Sequence, residues 1–314
     1  MRHLFRIGLL AAGLGLSVLF SEAMAQQSDF APQVSPGGRW LVYYSYRNGA
    51  SPDLFLIDVE TGDERALTET ADVWEIEPHW SWDGRYILFG AGAGMPDIRP
   101  AFLELERGRP AGPVRRFDSA PAGMRRVTAV EPGQSVLYVQ EYGFPIRQRF
   151  SIYRPGDGAT PWLDAMPEGE FAVPFLSPDG SFLIAVRELD GQTDIVRVDH
   201  STGAVLALTD TLEAEAYLAW SAGGRWLTWS QADASGARQI FGLELDEGGH
   251  PVADARLLTR GEAGQVHFFS SVSDDNAWLY HDASTPQGFE LRRRRFGDPD
   301  GPYETLTRRV PAGD

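Results

Sequence analysis

A short turn that returns at nearly constant intervals constrains the fold of this chain more than any other feature. The turn has the form Ser-x-x-Gly and precedes an apolar strand each time; clear copies lie at residues 35–38, 81–84, 177–180 and 221–224, and weaker copies at 131–133 and 273–276. The turns end at residues 38, 84, 133, 180, 224 and 276, so the intervals are 46, 49, 47, 44 and 52 residues. A period in the forties is typical of a four-stranded propeller blade.

The rest of each unit supports the same fold. In the first unit an alternating strand at residues 53–59 is followed by a turn and by the closing pair Leu67-Thr68, and later units repeat this order. Six units predict an all-β fold, a six-bladed β-propeller of four-stranded blades; a long β-sandwich, the alternative, would not require a matching turn in every unit. The predicted blades lie near residues 31–70, 76–118, 125–165, 172–210, 216–260 and 267–308. We expect the first blade to pack against the sixth without a swapped strand.

Two stretches of seven residues carry a family resemblance. They are Pro-His-Trp-Ser-Trp-Asp-Gly at residues 78–84 and Pro-Phe-Leu-Ser-Pro-Asp-Gly at residues 174–180. With the strand starts Asp53 and Asp194 and the Leu-Thr closing pairs, they resemble the propeller repeats of TolB, the periplasmic component of the Tol–Pal system, over residues 30–308. TolB has a further α/β domain before its propeller, which we do not expect here. Similar repeats occur in peptidase propellers, so the resemblance implies the fold more than the function.

The first 25 residues have the pattern of a cleavable export signal. Arg2, His3 and Arg6 form a basic start, residues 7–20 form an apolar run, and residues 23–25 form a small-x-small cleavage site. The apolar run is shorter than the roughly 20 residues that span a bilayer. We therefore expect cleavage near Ala25, a mature propeller at residues 26–314 without stable membrane insertion, and a periplasmic or secreted location. An uncleaved membrane anchor is the alternative.

Composition and motif searches remove several classes of function. The net charge of −16 disfavours nucleic acid as a partner, and the absence of cysteine excludes disulfides and thiolate zinc sites. The chain lacks a Gly-x-Ser-x-Gly nucleophile elbow and the His-x-His and His-Glu-x-x-His spacings of metal sites. We therefore predict no catalytic residues, no metal ligands and no cofactor, and thus a protein that is not an enzyme.

Three charged patterns have a structural interpretation. The aspartates of the repeated turns could ligate calcium, but capping of backbone amides is favoured because the turns lack enough oxygen ligands. Asp53, Asp97 and Asp194 share one position in their units and predict a repeated scaffold hydrogen bond. The basic run at residues 292–295 lies on a predicted strand, where alternation sends two side chains to each face; pairing with Glu290 and Glu304 is favoured over a docking patch.

The candidate binding residues lie upstream of the predicted inner strands. Asp29, Glu75, Glu215 and His267 each lie six residues before the serine position of their turn, and Glu170 lies within one position of that register. Arg125 and Arg126 occupy the corresponding position of the third unit. Because innermost strands line the channel of a propeller, these side chains are predicted to surround one mouth of the channel, where solvated loop charge is the alternative.

These features favour a non-catalytic scaffold that binds a protein or peptide partner in the cell envelope as a monomer. The alternative is a hydrolase or lyase of the lactonase type with a divalent cation in the channel. In that case Glu75, Glu215 and His267 are the residues expected to contact the ion.

Overall fold

The computed structural model describes residues 28–94, 97–116, 124–131, 135–142, 147–154, 158–177, 179–221, 223–234, 236–261 and 265–307. Within these ranges the chain forms 25 strands in six antiparallel sheets, and the sheets follow one another along the sequence. The fold is an all-β propeller. In the described ranges, no helix has the length and hydropathy needed to cross a bilayer. The export signal predicted at residues 1–25 lies outside them.

The first three sheets come from the first half of the chain. Sheet one contains β1 (Asp29–Val34), β2 (Trp40–Ser45), β3 (Asp53–Asp58) and β4 (Glu64–Ala66). Sheet two contains β5 (Trp74–Trp80), β6 (Tyr86–Gly92), β7 (Arg99–Glu106), β8 (Arg109–Pro110) and β9 (Arg115–Arg116). Sheet three contains β10 (Met124–Glu131), β11 (Ser135–Tyr142), β12 (Arg147–Arg154) and β13 (Gly158–Pro161).

The other three sheets come from the second half and repeat the order of sheet one. Sheet four contains β14 (Glu170–Leu176), β15 (Phe182–Leu189), β16 (Gln192–Asp199) and β17 (Val205–Ala207). Sheet five contains β18 (Ala216–Trp220), β19 (Trp226–Ala232), β20 (Arg238–Glu244) and β21 (Arg256–Leu257). Sheet six contains β22 (Ser270–Val272), β23 (Trp278–Thr285), β24 (Gly288–Arg295) and β25 (Tyr303–Thr305).

Sheet two departs from the predicted four strands. Its outer edge is divided into β8 and β9, which pair with different parts of β7, so the structure has five sheets of four strands and one of five, where six blades of four strands were predicted. Arg107 and Gly108 have φ angles of 50° and 73° and turn the chain tightly back onto β7 as β8. Pro110 and Pro113 then interrupt this edge, because proline has no N–H to donate to a neighbouring strand.

The repeated turn is held by its serine hydroxyl. In five copies Oγ accepts the backbone N–H of the residue five positions later at 2.9–3.1 Å; the pairs are Ser35–Trp40, Ser81–Tyr86, Ser177–Phe182, Ser221–Trp226 and Ser273–Trp278. The carboxylates of Asp83, Asp179 and Asp275 accept both the serine hydroxyl and the N–H two residues on. These aspartates cap the turns, as predicted.

The closing Leu-Thr pair of a unit bonds back to the third strand. Thr68, Thr209, Thr259 and Thr307 each accept through Oγ1 a backbone N–H of that strand, at 2.8–3.1 Å. All four threonines are buried. The repeated dipeptide therefore satisfies a backbone donor that the short outer strand cannot reach.

We expect Thr259→Val to destabilise the protein by about 2 kcal/mol, because valine has the same shape but leaves buried polar groups without partners. Thr259 is fully buried, accepts from Ile240 N at 2.9 Å and donates to Gln239 Oε1 at 3.1 Å. Urea unfolding measures the change. Thr193→Val, at a half-buried position of β16, is the matched control and should cost much less. Equal losses for the two variants would contradict the role assigned to Thr259.

Two of the three repeated aspartates also make the predicted scaffold bond. Asp53 Oδ1 accepts the N–H of Thr70 at 3.0 Å, and Asp194 Oδ1 accepts the N–H of Thr211 at 3.2 Å. Asp97 is instead exposed in a turn. The shared bond ties the start of a third strand to the connection leading into the next sheet.

The basic run at residues 292–295 is divided between two faces of β24, as predicted. The first and third arginines are 4% exposed, whereas the second and fourth lie over the ring of Trp278, at 4.6 and 4.1 Å from its centre. The ion pairs join Arg292 to Glu290 at 2.7 Å and Arg293 to Glu304 at 2.7 Å. The predicted pairing with acidic neighbours is therefore confirmed for Arg292 and Arg293.

The hydrophobic core lies between successive sheets. Val42 and Leu54 of sheet one pack with Ile87 and Phe89 of sheet two, and equivalent clusters join sheets three and four, four and five, and five and six. Each blade thus buries apolar faces on its neighbours, which is why the fold requires a ring.

The ring closes where sheet six meets sheet one. Tyr280 and Leu291 of sheet six pack against Val34 and Leu41 of sheet one, and Val34 donates its N–H to Ser271 Oγ at 3.1 Å. In the described residues every sheet consists of strands that are consecutive in the chain, so closure by packing is confirmed there. Residues 26–27 and 308–314, which the prediction also concerns, lie outside them.

Candidate functional site

The predicted binding residues occupy one end of the ring, which we call the strand-start mouth because the innermost strands begin there. Asp29 and Glu170 are the first residues of β1 and β14, Glu75 is the second residue of β5, and Glu215 directly precedes β18. His267 lies three residues before β22. In sheet three, Arg125 and Arg126 lie on β10, and their side chains are outside the described part of the structure.

Burial separates these side chains into different environments. Asp29, Glu75, Glu215 and His267 are at most 4% exposed, whereas Glu170 is exposed. Asp29 forms an ion pair with Arg47 at 3.0 Å. The four buried side chains are therefore not solvated loop charge, which was the alternative interpretation. Binding at this mouth stays a prediction.

Glu75 and Glu215 repeat the same buried arrangement. One carboxylate oxygen of each accepts the hydroxyl of a threonine in the preceding connection, Thr70 or Thr211, at 2.8 Å. The other oxygen of each is buried without a hydrogen-bond partner. Burial raises the pKa of both carboxyl groups, and for Glu215 it raises the pKa to about 7. These buried carboxylates therefore influence the stability of the fold and its pH dependence, and they add little to the exposed surface of the mouth.

His267 belongs to a buried cluster that the sequence did not reveal. Its Nδ1 and that of His281 lie 2.9 and 3.0 Å from the backbone carbonyl of Asp282, and the two rings meet edge to face with centres 4.9 Å apart. A carbonyl only accepts, so both Nδ1 atoms carry the proton in the neutral rings. Asp282 Oδ1 accepts the N–H groups of Phe268 and Phe269, while Oδ2 is buried without a partner.

An aromatic arc lies at the same mouth. Its rings come from sheets five, six, one and two, and successive centres are 4.9–6.3 Å apart in the order Tyr217, Phe268, Phe289, Phe30, Tyr44, Tyr46, Trp74. Phe30, Tyr44, Tyr46, Trp74 and Tyr217 are half-buried. Sequence reasoning missed these residues, although Phe30, Trp74 and Phe268 are chain neighbours of predicted residues.

A bulge in the innermost strands decides which side chains turn toward the channel. In β5 the pairing register shifts between Ile76 and His79, and in β18 it shifts between Ala216 and Ala219. Glu77 and Tyr217 lie inside these bulges with left-handed φ angles of 52° and 55°. Such angles are unfavourable for residues other than glycine, but Ala31 and Val173 adopt them at the same bulge of β1 and β14, so the bulge is a repeated feature of the innermost strands.

The opposite end of the ring, which we call the turn mouth, contains a recess. It encloses about 490 Å³, open solvent included, and is lined by Gln33, Val34, Pro36, His79, Trp80, Ser81, Trp82, Phe175, Trp220 and Ser221. Trp82 of sheet two meets Trp220 of sheet five edge to face, with centres 6.0 Å apart. Residues of sheets one, two, four and five meet only along the central axis, so this recess is the channel opening.

The residues suggested for a channel cation do not fit that group. In the described part of the chain, no three side chains among histidine, aspartate and glutamate are arranged to hold a metal ion. Glu75 lies on β5 of sheet two and Glu215 directly before β18 of sheet five, and each accepts a hydrogen bond from the threonine of its own connection. The geometry therefore gives no support to a metal-dependent step through Glu75, Glu215 and His267.

Several solved structures share this architecture at low sequence identity. A protein of Agrobacterium tumefaciens that is named as a TolB matches with a TM-score of 0.61 and 18% identity, over 81% of this chain and 87% of that chain. TolB of Acinetobacter baumannii matches with a TM-score of 0.58 and 14% identity, over 87% and 62%. The chain has the fold of a TolB-like propeller. At these identities the likeness concerns the fold alone.

An enzyme shares the fold as well. Oligogalacturonate lyase of Vibrio parahaemolyticus matches with a TM-score of 0.55 and 11% identity, over 89% of this chain and 77% of that chain. No protein-family model and no curated protein matches the chain. The function must therefore be argued from the site.

Proposed function

We propose that this TolB-like propeller is an exported, non-catalytic scaffold that binds a protein or peptide partner in the cell envelope as a monomer. The observation that carries the proposal is the recess at the turn mouth. Side chains from four different sheets line it, and two tryptophans meet across it. Tryptophan is the residue type most enriched among residues that dominate binding energy in protein interfaces.

The chemistry of the recess favours a side chain of a partner over a polar metabolite. Trp80, Trp82 and Pro36 are half-buried, and Phe175 and Trp220 form its floor at 6% exposure each. Trp80 has its indole N–H occupied by the carbonyl of Gln33 at 2.9 Å, so its ring offers an apolar face. We infer that an aromatic or aliphatic side chain of an extended partner segment enters this recess. The export pattern at residues 1–25 supports a partner in the envelope.

A cross-linking experiment tests this prediction. With a photoreactive benzoyl-phenylalanine at position 82, we expect one discrete cross-linked species in envelope extract. The same substitution at the half-buried Trp40, away from the recess, is the matched control and should yield none. Trp82→Ala should then weaken binding of the captured partner about tenfold or more, as is typical of an interface tryptophan.

The same preparation distinguishes the catalytic alternative. A stoichiometric divalent cation in the purified protein, together with turnover of a lactone or polyuronate, would replace the scaffold proposal. Cross-links of equal pattern at positions 82 and 40, or none at position 82, would also overturn it.

A further inference from the structure

The repeated turns contact one another and form a rim at the turn mouth. The turn of sheet one meets that of sheet six, where Gly37 donates its N–H to Asp274 Oδ2 at 2.7 Å. A Cβ placed on Gly84 of sheet two would lie 3.7 Å from Pro36 of sheet one. A Cβ placed on Gly223 of sheet five would lie 3.6 Å from Asp274 of sheet six. The turn rim therefore runs from sheet five through sheets six and one to sheet two.

Three exposed carboxylates lie on these turns. Asp83 directly follows Trp82 of the recess, and Asp179 has the place of Asp83 in the turn of sheet four. Asp274 joins the turns of sheets six and one. Each carboxylate uses one oxygen to accept a backbone N–H of a turn. In the described part of the chain, no arginine or histidine forms an ion pair with any of the three.

The arginines that follow the turns are neutralised within their own sheets. Each comes directly after the last glycine of a turn and pairs with a carboxylate at the third strand, two strands outward from the innermost one. The pairs are Arg39–Asp58, Arg85–Glu104 and Arg225–Glu244. Asp275 is set apart from the three rim carboxylates because the charge of Arg295 helps to lower its pKa. The negative charge of the other three therefore stays at the mouth.

An aromatic recess beside such carboxylates favours a basic ligand. Trp80 and Trp82 offer half-buried apolar surface to an anchoring side chain. An uncharged segment that covered the rim would remove water from the carboxylates without replacing it, whereas a lysine or arginine supplies the missing partner. The net charge of −16 also steers a basic segment toward the protein. Charge complementarity thus selects among the segments that the recess could accept.

We infer, on the basis of the proposed scaffold function, that the partner segment is basic. At least one lysine or arginine flanks the side chain that enters the recess and pairs with Asp83, Asp179 or Asp274. Apolar contact in the recess provides most of the affinity, and the rim provides selectivity for charge. The two contributions are separable, because the anchor depends on Trp82 and the charge preference depends on the three aspartates.

Titration calorimetry with the full chain and two synthetic peptides tests this inference. The peptides are Gly-Lys-Trp-Lys-Gly and Gly-Gln-Trp-Gln-Gly, both acetylated and amidated so that only the lysines carry charge. We expect the lysine peptide to bind about fivefold more tightly at low ionic strength, and this preference to shrink as salt is added, because exposed ion pairs are weak and screened. Trp82→Ala should weaken the binding of both peptides.

A triple variant of the rim separates charge recognition from damage to the turns. It carries Asp83→Asn, Asp179→Asn and Asp274→Asn, and it should bind the two peptides equally. Asparagine keeps a carbonyl oxygen for the backbone N–H that each aspartate accepts, so the turns retain their hydrogen bonds. The matched control changes the net charge equally at exposed aspartates near the strand-start mouth and should keep the preference for lysine. It carries Asp72→Asn, Asp164→Asn and Asp190→Asn.

Cross-linking locates the bound lysines. The sequence contains no lysine, so a carbodiimide joins the lysines of the peptide to carboxylates of this chain, and mapping should place the links at the rim aspartates. Equal affinity for the two peptides, a preference that persists in the rim variant, or links confined to other carboxylates would overturn the inference. The scaffold function would still stand if Trp82→Ala weakened peptide binding. If neither peptide bound, the inference would fail, and cross-linking at position 82 would decide the scaffold function separately.

Discussion

Replacing Glu215 by glutamine should stabilise the protein at alkaline pH and have little effect in acid. Burial raises the pKa of this carboxyl group to about 7, against an unfolded value of about 4.5. Between these values the folded state binds more protons than the unfolded state, so stability falls as pH rises from 4.5 to 7. A shift of this size corresponds to about 3 kcal/mol lost above pH 7.

Glutamine retains the acceptor for Thr211 but never carries the charge. Part of the gain is offset because the amide nitrogen would replace an oxygen that lacks a partner. We expect the melting temperature of Glu215→Gln to exceed that of the wild type by roughly 5 °C at pH 8, and to match it within about a degree at pH 4.5. Differential scanning calorimetry at the two pH values measures both differences.

Glu213→Gln is the matched control. Glu213 is exposed two residues earlier in the same connection, so its neutralisation changes the net charge equally without removing a buried charge. It should leave the melting temperature nearly unchanged at both pH values. If both variants gave the same gain at pH 8, the effect would come from net charge and not from burial of Glu215.

The sequence predicted the fold where one residue type makes the same local bond in several units. The serine of the turn, the aspartate that caps it and the threonine of the Leu-Thr pair each bond within a few residues or to the adjacent strand. Such contacts depend on the spacing of residues along a short piece of chain, and a repeated sequence reveals that spacing directly. The divided outer edge of sheet two was missed because the copies that establish the repeat lack the hairpin at Arg107 and Gly108.

The burial of the candidate residues at the strand-start mouth was predicted less well, and the reason lies in the geometry of β5. Simple alternation across β5 gives Glu75 and Glu77 the same face. The bulge between Ile76 and His79 breaks that alternation, and a shift of one residue reverses the side that a side chain faces. Glu75 is therefore buried under the connection, while Glu77, which the spacing rule did not select, is half-buried.

The second prediction with a large effect concerns His267 and His281, which we expect to cause loss of stability in acid. Burial lowers the pKa of His267 to about 4 and that of His281 well below its usual value of 6.5. The nearby Arg292 and Arg294 act in the same direction, and the bonds to the carbonyl of Asp282 oppose it. Protonation would place a buried N–H at each unpartnered Nε2.

The sign follows from proton binding in the two states. Between pH 4 and 6.5 the unfolded chain binds protons at these histidines and the folded protein does not, so stability falls as pH is lowered through that range. His267 alone amounts to about 2.5 kcal/mol at pH 4.5, and the lowered pKa of His281 acts in the same direction. Asp282, whose pKa burial raises to about 7, has the opposite dependence and remains in the variants.

Asparagine at positions 267 and 281 keeps a donor near the place of Nδ1 and cannot become charged. We expect the double variant to be less stable than the wild type at pH 7.5, because smaller side chains leave buried space, yet to lose several kcal/mol less on acidification to pH 4.5. Urea unfolding at both pH values measures these losses. His250→Asn, in an exposed turn, should retain the acid sensitivity of the wild type. An equal acid loss in the wild type and the double variant would show that carboxylates with a lowered pKa, such as Asp58 beside Arg39, govern acid unfolding instead.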